Sequence, residues 1–257
     1  MTQLLAGKKA IVLGVANKRS IAWAITRALA GAGARMALTF QGPRLEDNVR
    51  KLAKDLDDPL ILPCDVSEDS QIEECFRRLG EEFGSLDILV HSIAFARREE
   101  LDGEFLATSR EGYQIAQDIS SYSLTALARA ATPLLEKEGG AILALTYLGS
   151  GKVIPNYNVM GVAKAALESS IRYLASDLGK RNIRINGISA GPINTLSARG
   201  ISGFTKMLEL IREKAPLHRN TEPAEVGDAA LFLCSHLARG ITGEILHVDS
   251  GYHIMGM

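Results

Sequence analysis

The sequence lacks the features of secreted, membrane-spanning and nucleic-acid-binding proteins. It has only three cysteines, Cys64, Cys75 and Cys234, and because they form no CxxC pair we expect neither a disulfide framework nor a zinc site. The 29 basic and 30 acidic residues leave a net charge of −1, so the overall charge gives no indication of a nucleic-acid partner. No apolar run approaches the roughly 18 residues that a membrane span needs. Nothing before the first strand-like run resembles a signal peptide, and we therefore expect a reduced, cytoplasmic protein with no membrane insertion.

Metal-binding patterns are also missing. The histidines show neither an HExxH motif nor any other paired ligand spacing, so we expect core or surface roles for them and predict no metal ion. They are His91, His218, His236, His247 and His253.

Short apolar runs alternate with helix-length segments along almost the whole chain. The runs show little polar alternation, as do strands that are covered on both faces. The alternation predicts βαβ units and an α/β fold, a Rossmann-type doubly wound parallel sheet of about seven strands with a helical lid, in a single domain over residues 1–257. The predicted strands are 10–13, 36–40, 60–62, 86–90, 141–145, 183–187 and 244–248, and the predicted helices are 20–32, 44–57, 68–83, 109–136, 157–180 and 222–237.

Two stretches, 95–108 and 189–220, have no clear strand or long-helix character. Each follows a predicted strand. Because ligands of a doubly wound sheet bind outside the carboxyl ends of the strands, these stretches are candidate lids over a site.

The turn after the first predicted strand carries a partial dinucleotide fingerprint. Small residues at such a turn let backbone N–H groups approach a pyrophosphate at a helix N-terminus. Here Gly14 is followed by Ala16 and Ser20 and not by two more glycines. Ser20 could equally be a plain N-cap of the following helix, so this turn alone leaves both interpretations open.

The residues after the second and third predicted strands bear on the choice of cofactor. NAD sites often have an acidic residue after the second strand, and NADP sites have a basic one. Gln41 can bond a neutral ribose but supplies no charge for a 2′-phosphate, which favours NADH over NADPH, with Arg44 as the nearby alternative cation. Asp65 either accepts a hydrogen bond from the adenine amino group or caps the helix that begins near Ser67.

The most informative segment contains Tyr157 and Lys164, seven residues apart and therefore two turns along one face of the predicted helix. Taken alone, the pair reads as an interface tyrosine and a surface lysine. The sequence SAGPINT at 189–195 changes that interpretation, because it follows the sixth strand, where a nicotinamide would lie.

With these residues the chain resembles the short-chain dehydrogenase/reductase superfamily, and within it the bacterial enoyl-acyl carrier protein reductases, from about residue 5 to 255. The usual superfamily spacing, Tyr-x3-Lys, would place the tyrosine at Met160, and the slot of the usual serine holds Tyr147. The enoyl reductases depart from the superfamily in the same two places. The other markers are GVANKRSIAW at the first turn, HSIAFA at 91–96, DISSYS at 118–123, SAGPI at 189–193 and HVDSGY near the C-terminal end.

The resemblance implies NADH-dependent reduction of the trans-2 double bond of enoyl-acyl carrier protein, the last reductive step of fatty acid elongation, by a homotetramer. Tyr157 would donate to the enolate oxygen, Lys164 would hold the nicotinamide ribose, and Tyr147 would line the substrate pocket. The alternatives are a ketone or alcohol oxidoreductase of the same superfamily and a non-catalytic NAD-binding sensor. The implied cofactor contacts are Gly14, Ser20, Ile21, Gln41, Asp65, Val66, Ile93, Lys164, Ile193, Asn194, Thr195, Leu196 and Ser197, and the implied substrate contacts are Ala96, Tyr147, Tyr157, Met160, Phe204 and Met207.

The displaced tyrosine suggests a physical hypothesis. Hydride delivery to C3 of an enoyl thioester places charge on the carbonyl oxygen, several bonds away, so the donor to that oxygen must lie farther from the nicotinamide than in a ketone reductase. One helical turn moves a side chain by about 5.4 Å, which is the right scale.

A lid is predicted at about 195–215. We expect residues 196–210 to be mobile in the free protein and helical over bound cofactor and acyl chain, because the segment buries little by itself. Ser202 and Thr205 stand where relatives often have basic residues for docking the acidic carrier. The stretch 197–219 still has five basic residues against two acidic ones, so we expect a rearranged docking patch, with Lys206 as the candidate contact. Ala94 stands where many relatives have glycine, so an extra methyl group is expected in the cofactor pocket.

Overall fold

The computed structural model describes residues 3–195 and 203–256. Within these ranges seven strands pair in parallel throughout. The strands are β1 (Lys9–Leu13), β2 (Arg35–Phe40), β3 (Leu60–Pro63), β4 (Ile88–His91), β5 (Gly140–Thr146), β6 (Ile183–Ala190) and β7 (Ile245–Val248). They form one sheet in the order β3-β2-β1-β4-β5-β6-β7, which confirms the predicted doubly wound α/β fold.

The same ranges contain eight α-helices. The predicted helix 109–136 is divided by a π-helical segment at Asp118–Tyr122, and a further helix occupies most of the predicted lid. The helices are α1 (Ile21–Gly31), α2 (Pro43–Ala53), α3 (Asp69–Phe83), α4 (Arg110–Gln117), α5 (Ser123–Leu135), α6 (Asn158–Gly179), α7 (Phe204–Lys214) and α8 (Pro223–Cys234). None of the helices in these ranges has the length and apolar character needed to cross a lipid bilayer.

Several helices begin where the sequence supplies a cap. The Ser20 hydroxyl accepts a hydrogen bond from the backbone N–H three residues later, and Ser109 does the same at the start of α4. At α8, Glu222 is the N-cap of a capping box and Pro223 takes the first helical position, where a missing N–H costs nothing. These caps fix where the helices start relative to the strand ends that precede them.

The first strand shows how the sheet divides the core into two layers. Ala10 and Val12 point to one face, while Ile11 and Leu13 point to the other, and all four side chains are buried. Helices α1, α2 and α8 cover the first face, and α3, α5 and α6 cover the second. Burial on both faces is the reason that the strands read as continuous apolar runs in the sequence.

The order in which strands are added to the sheet reverses after β3, and β1 and β4 are the neighbouring strands at this switch point. From β1 the chain winds outwards through β2 and β3, and it then returns to β4 on the other side of β1. The carboxyl ends of β1 and β4 therefore lie side by side with a crevice between their connections, as expected for a ligand site in a doubly wound sheet.

Candidate active site

A cavity of about 680 Å³ opens at this crevice. Its walls include the residues that directly follow β1, β4, β5 and β6, and its volume is within the usual range for small-molecule sites. The chain folds so that most of the predicted site residues meet here. Those that line the cavity are Gly14, Ser20, Ile21, Gln41, Val66, Ile93, Ala96, Tyr147, Tyr157, Met160, Lys164, Ile193, Thr195, Phe204 and Met207.

A few predicted contacts lie elsewhere. Asp65 and the exposed Asn194 are not among the lining residues, and neither is Lys206, which is exposed on α7. Leu196 and Ser197 fall outside the described residues. The cofactor and carrier contacts assigned to all five therefore remain predictions.

The turn after β1 fits a dinucleotide. Gly14 has a φ of +101°, and a Cβ built there would lie 2.0 Å from the carbonyl oxygen of Ser92, so only glycine allows this approach of two strand ends. Ser20 accepts from the backbone N–H of Trp23 at 3.3 Å and donates to the carbonyl oxygen of Asn17 at 2.8 Å. The N-cap interpretation of Ser20 is thus confirmed. The N-terminus of α1 nevertheless faces the cavity, where its N–H groups and dipole favour an anion such as a pyrophosphate.

Gln41 lines the cavity at the end near β2 and is paired with Asp65, which does not line it. The Gln41 amide donates from Nε2 to Asp65 Oδ2 at 3.0 Å. Partial burial raises the pKa of Asp65, but the hydrogen bonds from Gln41 and Ser67 outweigh it and hold that pKa below its usual value. With one of its two N–H donors engaged, Gln41 still offers an N–H and an amide oxygen to ribose hydroxyls, but no positive charge. Arg44 is exposed and does not line the cavity.

The expectation that Asp65 caps the next helix is wrong. Its Oδ1 atom accepts from the backbone N–H of Ser67 at 3.0 Å and from the Ser67 hydroxyl at 2.7 Å, which closes a local turn. Helix α3 starts only at Asp69, with Glu68 at its N-cap. The competing adenine contact remains a prediction.

Two tyrosines form another part of the cavity wall. The rings of Tyr147 and Tyr157 pack edge to face, with centroids 5.0 Å apart and planes at 73°. A Cβ at Gly149 would lie 2.5 Å from the Tyr157 ring, so this glycine makes room for the phenol. Burial raises the pKa of Tyr147 to about 12, and burial together with the neighbouring Tyr147 raises the pKa of Tyr157 further. Both phenols are therefore protonated donors at neutral pH.

Lys164 lies two turns into α6, and Tyr157 lies just before the start of that helix. Lys164 is only 5% exposed, and its Nζ donates to the carbonyl oxygen of Leu145 at 2.6 Å. Burial lowers the pKa of Lys164 to about 8, an effect that the carboxylate of Glu168 opposes. The lysine is thus a buried ammonium near neutral pH, and it faces the same cavity as the Tyr157 phenol.

Comparison with known proteins identifies the family. A sequence profile described as "Enoyl-(Acyl carrier protein) reductase" matches residues 14–253. The chain belongs to this family. Among curated relatives, the NADH-type enoyl-[acyl-carrier-protein] reductase of Bacillus subtilis is 59% identical over 252 residues, which cover 97% of each chain. The NADPH-type reductase of Staphylococcus aureus is 49% identical over 251 residues, which cover 97% of this chain and 98% of that protein.

Solved structures of the family share the fold of this reductase closely. The crystal structure of the Bacillus cereus enoyl-acyl carrier protein reductase with NADP+ and an indole naphthyridinone has a TM-score of 0.98 at 56% identity, with full coverage of both chains. The reductase of Anaplasma phagocytophilum in complex with NAD has a TM-score of 0.96 at 48% identity, covering 100% of this chain and 98% of that one.

The sequence predicted only a core or surface role for His91, and the structure buries it beneath the site of this reductase. Its Nε2 is 2.8 Å from the Ser123 hydroxyl, and that hydroxyl donates to the carbonyl oxygen of Ile119 at 2.7 Å. Nε2 must therefore carry the proton, and Nδ1 is a buried acceptor with no hydrogen-bond partner. Burial and the positive charge of Lys164 lower the pKa of His91 to about 3, so the ring is neutral. The family markers HSIAFA and DISSYS contain His91 and Ser123, but only the fold pairs them.

The π-helical segment shapes another wall of the cavity. It turns the buried Ser120 towards the loop after β4, where the Ser120 hydroxyl donates to the carbonyl oxygen of Phe95 at 3.0 Å and accepts from its N–H at 2.9 Å. Ile119 from the same segment, and Ala94 and Ala96 beside Phe95, line the cavity. The Ala94 methyl group is therefore placed at the pocket, as predicted. π-helical turns are rare and occur often at functional sites.

The predicted lid is partly described. Its residues 204–214 form α7, and Phe204 and Met207 of this helix line the cavity, with Met207 Sδ 3.5 Å from the Tyr147 hydroxyl. Thr205 is exposed on the outer side. Ser202 and the rest of 196–202 lie outside the described residues, and the expected mobility of 196–210 remains a prediction. Within the described ranges, no three His, Cys, Asp or Glu side chains are grouped as metal ligands.

Proposed function

We propose that this chain reduces the trans-2 double bond of an enoyl thioester carried by acyl carrier protein, with NADH, as the last reductive step of fatty acid elongation. The observation that carries the proposal is the wall formed by Tyr147, Tyr157 and Lys164. These side chains bring two phenol donors and one buried ammonium to a single cavity at the switch point of the sheet. Membership of the enoyl reductase family supports the same reaction.

The cavity offers binding groups for each part of the dinucleotide. The Gly14 turn and the N-terminus of α1 would hold the pyrophosphate, Gln41 would accept from the adenosine ribose, and Lys164 would donate to the nicotinamide ribose. When bound, the reduced nicotinamide supplies hydride to C3 of the enoyl group. The lack of a cation at Gln41 favours NADH.

Tyr157 acts on the thioester oxygen of the substrate. As negative charge develops there, the phenol donates a hydrogen bond that is stronger in the transition state than in the ground state, and this difference accelerates the reaction. The raised pKa of Tyr157 keeps the proton on the phenol. The Lys164 ammonium adds positive potential at the same wall, and the partly enclosed cavity strengthens both effects.

The acyl chain would lie against the apolar part of the cavity. Met160, Phe204 and Met207 line it next to Tyr147, and Met160 is buried at the position that a ketone reductase would use for its tyrosine. This placement is the reason to prefer enoyl over ketone reduction.

We further propose a cytoplasmic homotetramer that binds the carrier protein at α7. The three cysteines are free and buried, which fits a reducing compartment. Tyr122, at the end of the π-helical segment, and Tyr173 of α6 are 44% and 76% exposed, and a second copy would cover such apolar side chains. Lys206 projects from α7 beside the cavity, where an acidic carrier would dock. Light scattering tests the assembly state.

One assay tests the function. NADH consumption is measured with a trans-2-enoyl thioester, with a 3-ketoacyl thioester and with no substrate. We expect oxidation with the enoyl thioester only. Faster turnover of the 3-ketoacyl thioester would indicate a ketone reductase, and no turnover with either would indicate a non-catalytic NAD-binding protein.

A further inference from the structure

Behind the active-site wall, two consecutive residues of β5 hold two residues of α6 that lie one helical turn apart. The carbonyl oxygen of Leu145 accepts from Lys164 Nζ at 2.6 Å. The hydroxyl of the next residue, Thr146, donates to Glu168 Oε1 at 2.7 Å. Thr146 is buried and lines the cavity, so the Glu168 carboxylate is fixed directly behind the pocket wall.

The buried ammonium of Lys164 needs a compensating negative charge. A charged group removed from water is costly unless it is paired, and the Leu145 carbonyl that Lys164 contacts is neutral. Glu168 follows Lys164 at i+4, a spacing that brings the two side chains to the same face of α6. Glu168 is also the group whose charge opposes the lowering of the Lys164 pKa by burial.

We propose that Glu168 is a positioning residue for the reaction: held in place by Thr146, its carboxylate keeps Lys164 charged and directed towards the pocket beside Tyr157. This inference rests on the proposed function. Glu168 does not line the cavity, so it would act through Lys164 and not by touching substrate or cofactor.

The other titratable groups near this pair do not replace Glu168. His91, below Lys164, is neutral, and the phenols of Tyr147 and Tyr157 stay protonated. On the far side, Glu168 faces His247 of β7, whose pKa is lowered by burial and by the neighbouring His253.

Two further carboxylates, Glu244 and Asp249, act on His247 from that far side. The negative charge that acts on Lys164 is that of Glu168. Loss of the Glu168 charge should therefore change the pKa of Lys164.

The test is the pH profile of kcat/KM for an enoyl thioester in Glu168→Gln. Reduction requires the charged lysine, so the rate of the unmodified enzyme should fall on the alkaline side as Lys164 loses its proton. Removal of the Glu168 charge lowers the pKa of Lys164 further, and we expect the alkaline limb to move to lower pH by about one unit. A merely structural role would lower the rate at every pH without moving the limb.

Three further variants test this result. Glu168→Asp keeps the charge and should retain the limb of the unmodified enzyme. Asp177→Asn removes one carboxylate from an exposed position on the same helix and should leave both rate and profile unchanged. Thr146→Val removes the hydroxyl that holds the Glu168 carboxylate. It should move the alkaline limb to lower pH by less than Glu168→Gln does, and it provides the test if Glu168→Gln fails to fold.

An unchanged alkaline limb in Glu168→Gln, or in Thr146→Val if that is the variant that folds, would overturn the proposal. So would an equal shift in Asp177→Asn. Failure of the unmodified enzyme to reduce any enoyl thioester would instead contradict the proposed function, so the two failures are distinguishable.

Discussion

The phenol of Tyr157 is a hydrogen-bond donor because its surroundings keep the proton on it. Burial and the ring of Tyr147 raise its pKa, while Gly149 leaves the space that the ring occupies. The side chain is therefore suited to stabilise an oxyanion and not to act as a base near neutral pH.

Tyr157→Phe removes this donor and keeps the ring. Loss of one such donor typically lowers kcat by about 10²–10³-fold, and we expect a decrease of that size with an enoyl thioester. Tyr147→Phe is the matched control and should cost less, because its hydroxyl lies near the Met207 sulfur. Steady-state kinetics measures both, and unchanged turnover in Tyr157→Phe would refute the role given to this phenol.

Gln41 is the residue that we expect to set the preference between NADH and NADPH. Because it supplies no cation for a 2′-phosphate, kcat/KM should be higher with NADH than with NADPH. Gln41→Arg should narrow or reverse that ratio, whereas Arg44→Gln should leave it unchanged, since Arg44 is exposed and outside the cavity. A preference for NADPH that disappears in Arg44→Gln would show that Arg44 reaches the phosphate.

At the scale of elements, α7 is where the substrate carrier and the pocket would meet. Its inner side brings Phe204 and Met207 to the cavity, while Lys206 is exposed on the outside. One short helix would thus contact both the acyl chain and the protein that delivers it.

Lys206→Glu should raise the KM for a carrier-linked enoyl substrate several-fold and barely change the KM for the coenzyme A thioester, because only the carrier presents an acidic surface. Lys214→Glu, at the end of the same helix, is the control for a change of charge alone. If Lys206→Glu affects both substrates equally, Lys206 does not contact the carrier.

The strands of the sheet were predictable and the shape of the pocket wall was not. Apolar runs such as 141–145 predict β5 because both faces of the sheet are covered, which leaves a composition signal in the sequence. The π-helical segment Asp118–Tyr122 leaves no such composition signal. A π-helical turn holds about one residue more than an α-helical turn, so its apolar residues do not follow the spacing from which an α-helix is predicted.

The candidate site likewise has a part that was predictable from the sequence and a part that was not. Tyr157 is the N-cap residue of the helix that carries Lys164, so the spacing of the two was readable from the sequence, and the family resemblance suggested their roles. The pair formed by Thr146 and Glu168 joins a strand to a helix, and His91 acquires its partner 32 residues later in the chain. Such contacts depend on tertiary packing, which no local pattern records.

At the scale of the whole molecule, His91 links the stability of the fold to pH. The ring is buried and neutral, with its unprotonated Nδ1 facing no partner, so protonation in the folded state is strongly unfavourable. In the unfolded chain the imidazole takes up a proton near pH 6.5. The unfolded state therefore binds more protons between about pH 6.5 and pH 3, and stability falls as the pH falls through that window.

Urea unfolding from pH 7.5 to 4.5 measures this dependence. His91→Asn should lower the free energy of unfolding at pH 7.5, because a buried contact is lost, yet reduce its slope with pH. The exposed His218→Asn should keep both the stability and the slope. The same slope in all three proteins would show that other groups set the acid sensitivity.

The π-helical turn between α4 and α5 has a consequence for changes in chain length. Because the turn holds about one residue more than the α-helix on either side, a chain one residue shorter here could run as a single regular helix with both ends packed as before. The Ser120 hydroxyl would then rotate away from Phe95. A deletion that the fold tolerates would thus reshape the wall of the pocket that Ile119 lines.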